Sequence, residues 1–206
     1  LNQIKSYGWK HFIIKPIGGC EGKGLGVLTT PSKTNYEESS ESFETKELLK
    51  TPMKLTQYFD ENNEYYSEYL VQRLITGFKK HGEVKSFWIG GEYNYAIVAK
   101  EVPYGDSVVK PLTNKKKVEK CIELGSKVCK AIPKLEFNGK KTTPVMTRID
   151  MVCCLDNKPL SSYDYYLNEI EEGGLAGSYT DFKQITFPFV EVMSDAYVRK
   201  ARELLE

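Results

Sequence analysis

Two short runs concentrate the charged side chains that could do chemistry. In VMTRIDMVCCL, residues 145–155, Arg148 and Asp150 stand two apart, and in DYYLNEIEE, residues 164–172, Glu169 and Glu171 do the same. Side chains on a strand alternate between its faces, so each pair shares one side of its own strand. If the two strands are neighbours and those sides coincide, one face gathers three carboxylates, whose mutual repulsion a cation would offset. Hard oxygen donors suit magnesium, whose other positions can be filled by water and nucleotide phosphates. Arg148 could stabilise charge on a phosphoryl or acyl-phosphate oxygen. The competing reading is a solvated hairpin edge carrying a surface ion pair.

A second constellation lies near the start of the chain, in FIIKPIGGCEGKGLGV, residues 12–27. Lys15 follows an apolar run, and Gly18, Gly19, Gly22, Gly24 and Gly26 come after it. Glycines remove side-chain bulk and let backbone amides approach anionic oxygen, with Lys15 as a matching charge, so phosphate is a natural ligand. The spacing is neither the P-loop pattern nor a dinucleotide fingerprint, because the loop is flanked by apparent strands instead of leading into a helix. A structural turn remains the alternative. In EVKSFWI, residues 83–89, alternation sets Glu83, Lys85, Phe87 and Ile89 against Val84, Ser86 and Trp88. Glu83 and Lys85 could hold a ribose hydroxyl and a phosphate or substrate oxygen, or form an exposed charge pair worth little. Lys100 carries the same ambiguity. The run YLVQRLI could offer backbone hydrogen bonds to a purine edge, or pack in the core.

These residues need a framework. Strands are expected over 12–15 and 25–29 around the glycine loop, over 66–75, and over 83–91 and 92–100 joined at Gly90-Gly91. Two more are expected over 145–155 and 164–170, antiparallel neighbours across the DNKP turn. Helices are expected over 48–59 and 190–205. A third, over 115–132, has Val118, Cys121, Ile122, Leu124, Gly125, Val128 and Cys129 on one face. The polar, glutamate-rich run 31–47 reads as an exposed connection.

With 206 residues, 40% hydrophobic and 28% charged, the chain is long enough for one large core and has ordinary globular composition. Its 29 basic and 28 acidic side chains leave a net charge of +1, which supplies no overall field for nucleic acid. The run Lys115 to Lys117 reads as a hydrated helix face, so no nucleic-acid partner is expected. Five cysteines without CxxC spacing and two histidines argue against a zinc site or a disulfide framework. Free thiols and the lack of an apolar run near the ~20 residues of a membrane span point to the cytoplasm and no membrane. No initiator methionine begins the chain, so sequence upstream is expected.

The order lysine and glycine loop, QRLI strand, EVK, RID, NEIE resembles the ATP-grasp superfamily over nearly the whole chain. The likeness is nearest to its carboxylate-amine ligases: glutathione synthetases, D-alanine-D-alanine ligases and ligases that add glutamate to a ribosomal protein. That resemblance implies an α+β fold with antiparallel sheets and packed helices in two lobes. A lid lobe over 1–75 would carry the glycine loop, and a larger lobe over 76–206 the magnesium site. It implies ATP and Mg2+ as cofactors, and activation of a carboxylate as an acyl phosphate that an amine then attacks. The substrates would be small-molecule or peptide carboxylates and amines. By the same resemblance Lys15 contacts ATP phosphates and Gly18, Gly19, Gly22, Gly24 and Gly26 form the lid loop. Gln72, Arg73 and Leu74 receive adenine, Glu83 meets the ribose, Asp150 and Glu169 bind magnesium, and Arg148 lies near the transferred phosphoryl group. Lys85 and Lys100 join the nucleotide contacts. Two departures stand out: Glu171 replaces the usual asparagine, and only Leu1 to Lys10 precede the glycine-loop strand, so the family's N-terminal substrate domain is expected in sequence upstream. A small-molecule kinase and a nucleotide-binding module without catalysis are the alternative readings.

Overall fold

The computed structural model describes residues 4, 6–17, 25–29, 55–75, 77–100, 108–154, 164–172 and 189–205. They divide into two units, Leu1–Ile75 and Thr76–Glu206. In the first, β1 (His11–Pro16) is the middle strand of an antiparallel sheet, with β2 (Gly26–Thr29) on one side and β3 (Tyr69–Arg73) on the other. The strict alternation of β1 buries Phe12, Ile14 and Pro16. Phe12 and Ile14 pack with Leu28 of β2 and with Tyr58 of α1 (Leu55–Asn62). Helix α1 covers the later part of the expected helix; residues 48–54 lie outside the described residues, as do Gly18 to Gly24 and the run 31–47.

The second unit is built on a five-stranded antiparallel sheet in the order β10-β9-β4-β5-β6. Its strands are β4 (Glu83–Ile89), β5 (Glu92–Lys100), β6 (Val108–Pro111), β9 (Met146–Cys154) and β10 (Asp164–Glu172). The hairpin at Gly90-Gly91 and the pairing of β9 with β10 follow the expectations from sequence. The short helix α2 (Gly77–His81) leads into β4 through Gly82, whose φ is +75°. A Cβ there would lie 2.6 Å from the Ala99 carbonyl oxygen, so only glycine makes this entry without strain.

Helix α3 (Lys115–Ala131) begins at Asn114, whose side chain accepts a hydrogen bond from the Lys117 backbone N–H. Its apolar stripe buries Cys121, Gly125 and Val128 against one face of the sheet. Val84, Trp88, Ala96, Ile149 and Met151 meet it there. On the other face Phe87, Ile97 and Met146 form a second cluster, with Met193 of α4 (Phe189–Leu205) against it.

Four elements were not expected: α2, β6 and the strands β7 (Leu135–Phe137) and β8 (Lys140–Thr142). The β7-β8 turn is Asn138-Gly139 with φ of 49° and 74°, both positive, as a tight two-residue hairpin requires. That dipeptide is a readable signal. The others are four or five residues long and lack a period of their own.

Candidate functional site

Strand β4 is central and buried on both faces, including Glu83 and Lys85. It pairs with β5 and also with β9, a strand 60 residues further on, in a register that sets Lys85 opposite Asp150, Phe87 opposite Arg148 and Glu83 opposite Val152. Paired residues of neighbouring strands share a face, so Glu83, Lys85, Arg148 and Asp150 all project to the side away from α3.

They make one connected ionic network. Lys85 Nζ donates to Glu83 Oε2 at 2.6 Å and to Asp150 Oδ2 at 2.7 Å. Arg148 grips the same carboxylate with two donors, Nε to Oδ1 at 2.9 Å and Nη2 to Oδ2 at 3.0 Å. Arg148 Nη2 also reaches Glu171 Oε1 at 3.4 Å. Asp150 is 1% exposed, so its charge is desolvated and must be compensated from within the protein. Burial opposes the charge of Lys85, but the Glu83 and Asp150 carboxylates more than offset it and hold the ammonium above the ordinary lysine range. Arg148 is raised in the same way by Asp150, Glu171 and Glu83. Glu171 is pushed up, first by burial and then by its neighbour Glu169, with Arg148 acting against both.

A bulge brings Glu169 and Glu171 to this face. From Asp164 to Leu167 strand β10 runs in step with Cys154 to Met151, and in that step Glu169 would fall opposite Ile149, toward α3. The register shifts between Leu167 and Glu169, so that Glu169 pairs with Asp150 and Glu171 with Arg148. Asn168 is the extra residue. Its Nδ2 donates to Glu83 Oε1 at 2.6 Å, which ties the bulge to β4. The sequence reading gives Asn168 no role, and nothing in the local pattern announces a bulge.

The remaining candidates fall elsewhere. Lys100 ends β5 on the face that carries Val84 and Val98, away from the ionic network, and is exposed. In the first unit Lys15 lies opposite Leu70 and Gln72 opposite Ile13, on the sheet face turned away from the Phe12–Ile14 core. Arg73 pairs with Phe12, and the Leu74 N–H donates to the His11 carbonyl at 3.3 Å. Gly26 opens β2, where a Cβ would come within 2.7 Å of Tyr58 Cε2, so this glycine answers a packing demand. Gly18, Gly19, Gly22 and Gly24 lie outside the described residues.

Asp150, Glu169 and Glu171 offer only carboxylate oxygen, the donor type that a hard divalent cation takes. Their arrangement does not set three of them together: among the described residues no group of three or more His, Cys, Asp or Glu is placed to hold a metal ion. Both oxygens of Asp150 are engaged by Lys85 and Arg148. The donor chemistry fits magnesium, and the cations of the protein itself already stand on the central carboxylate. The described residues include no helix long and apolar enough to cross a membrane, and Cys121 and Cys129 are free thiols.

No protein-family model and no curated protein matches the chain. Solved structures do. D-Alanine-D-alanine ligase from Bacillus anthracis, solved with ATP, aligns at a TM-score of 0.59 and 14% identity over 98% of this chain and 57% of its own. D-Cycloserine synthetase DcsG aligns at 0.56 and 15% identity, over 97% and 59%. VanG D-Ala:D-Ser ligase from Enterococcus faecalis aligns at 0.57 and 14%, over 95% and 51%. The chain therefore spans between half and three-fifths of the length of these proteins. The alignments take in almost the whole of this chain, and from that correspondence its fold is ATP-grasp.

Proposed function

We propose that this chain is the nucleotide-handling part of an ATP- and magnesium-dependent ligase that activates a carboxylate as an acyl phosphate and joins it to an amine. The observation that carries the reading is the buried Arg148–Asp150 pair, in register with Glu171 and Glu169 on one face of a sheet of this fold. The substrate carboxylate attacks the γ-phosphorus of ATP and ADP leaves; the amine then forms a bond to the acyl carbon and loses a proton, while the acyl C–O bond breaks and phosphate leaves with that oxygen and its electron pair. Arg148 keeps a fixed orientation through its two-pronged hold on Asp150 and reaches Glu171 from the same guanidinium, so its charge is preorganised for a phosphoryl oxygen. Glu169 and Glu171, with Asp150, are the residues that would hold magnesium. When bound, magnesium neutralises phosphate charge. By the family resemblance, Lys15 is read as a phosphate contact and Gln72 to Leu74 as adenine contacts.

The test is calorimetric titration of the chain with ATP in the presence and absence of magnesium, repeated on the double variant Glu169→Gln, Glu171→Gln. Removing both charges is expected to weaken magnesium-dependent ATP binding by about ten-fold or more. Equal affinity in the two proteins removes the metal role. Phosphate release by the complete gene product that requires both a carboxylate and an amine supports ligation, whereas a stable phosphorylated alcohol makes the protein a kinase.

A further inference from the structure

Helix α4 lays one side on the sheet and carries a second apolar side that faces solvent. Met193 and Ala196 point inward, Met193 against Phe87, Ile97 and Met146. Val190, Tyr197, Val198 and Leu205 recur at intervals of seven and eight residues, which keeps them together on a different side of the helix. They are 75%, 56%, 50% and 84% exposed, and the small residues Ser194 and Ala201, also exposed, fill the turns between them. Single exposed apolar residues are ordinary, whereas four on one stripe mark an interaction face. The charges sort by position along the same helix. Glu191 and Asp195 stand in its first half and Arg199 and Arg202 in its second, all four exposed, while Lys200 and Glu203 pair with each other at 2.8 Å.

We propose that the partner of this face is a second copy of the chain, docked α4 against α4 in antiparallel sense about a two-fold axis. Charge complementarity selects that occupant and that direction: side by side in the same direction, two such helices set like charge against like, whereas reversed they set each acidic half against a basic half and oppose their dipoles. The apolar stripe is self-complementary in the same arrangement. With the axis between Tyr197 and Val198, Val190 of each copy is level with Leu205 of the other, and Ser194 is level with Ala201, where small side chains let the helices approach. Glu191 of one copy falls within one turn of Arg202 of the other. A helix of 17 residues is about 25 Å long and by itself makes a small interface. The β7–β8 hairpin enlarges it: Lys140 Nζ donates to the Glu203 carbonyl at 3.3 Å, which brings the exposed Leu135 and Phe137 to the end of α4 where Val190 of the other copy arrives. The product is a reversible dimer with a Kd in about the micromolar range. This inference does not depend on the nucleotide reading above.

Sedimentation equilibrium of the complete gene product over about 1–200 µM tests it, with wild type expected to pass from monomer to dimer across that span. Glu191→Arg and Arg202→Glu are each expected to weaken the dimer about five- to ten-fold, since each change acts twice across the axis, and the two together to restore it. A parallel pair predicts no such rescue. Tyr197→Ser with Val198→Ser removes the centre of the stripe and is expected to leave a monomer with the circular dichroism and melting temperature of wild type, because both side chains are at the surface. Should a charge variant fail to fold, the serine variant decides. A wild type that stays monomeric throughout overturns the proposal and leaves the face to another occupant, such as a further segment of the same protein. A dimer that the serine variant leaves equally tight, or a charge-swapped double variant as weak as the single ones, overturns it as well.

Discussion

Replacing Gly125 by alanine sets two effects of opposite sign against each other. In a helix interior alanine is favoured over glycine by about 1 kcal/mol, so propensity alone predicts a more stable protein. Gly125, however, faces Trp88 across the interface of α3 with the sheet. A Cβ there would lie 2.7 Å from Trp88 Cε2, 3.0 Å from Nε1 and closer still to Cζ2. Carbon atoms in good contact stand roughly 3.5–4.0 Å apart, so the ring or the helix must move by about 1 Å or more. Trp88 is 3% exposed, and its Nε1–H donates to Ser86 Oγ at 3.0 Å while Ser86 donates to the Ile149 carbonyl at 2.9 Å. A ring shift therefore strains a buried hydrogen-bond chain, worth about 1 kcal/mol per bond, besides the roughly 1–3 kcal/mol usual for overpacking. The expected balance is a loss of about 2–3 kcal/mol, or roughly 5–10 °C in melting temperature for a chain of this size. Thermal and urea unfolding followed by circular dichroism would measure it. Pairing the change with Trp88→Leu, which removes the opposing ring, should bring the cost of adding the Cβ close to zero. A Gly125→Ala protein as stable as wild type would refute the close seating of α3 on β4.

Two further outcomes are expected. Burial raises the Cys121 thiol from about 9 to about 11, so the native protein keeps a proton that the unfolded chain gives up. Stability is then complete below pH 9 and falls as pH rises toward 11, by about 1.4 kcal/mol per unit and no more than about 3 in all. Urea unfolding at pH 8 and pH 10.5 should show a smaller difference for Cys121→Ala than for wild type; an unchanged difference would mean that other groups carry the alkaline loss. For the first unit, Lys15→Ala should weaken binding of ATP more than that of adenosine. Equal losses for the two ligands would remove a direct phosphate contact.

Local pattern carried far in this chain. The apolar stripe from Val118 to Val128 and the alternation of EVKSFWI specify a helix and a strand, and their expected faces are the observed ones, because each period is a property of a single element. Asn138-Gly139 was equally legible, as a turn signal needs only two residues. What did not show was pairing between distant elements. The alternative of Glu83 and Lys85 as an exposed pair gave way to burial beside Asp150, since adjacency of β4 and β9 depends on the packing of the whole sheet. The same holds for Arg148: its type and spacing from Asp150 were plain, but not that both donors would close on that carboxylate.

The parity of residues 169 and 171 looked sufficient in isolation, yet parity along one strand says nothing about its neighbour. At Asn168 the chain has one residue more than the β9 partner calls for, and this surplus of one determines on which side of the sheet two acids emerge. The acidic character of that surface is therefore set by chain length as much as by composition. A comparison of sequences that aligns the glutamates but ignores a single-residue gap beside them would score the acids as retained where the face has lost them.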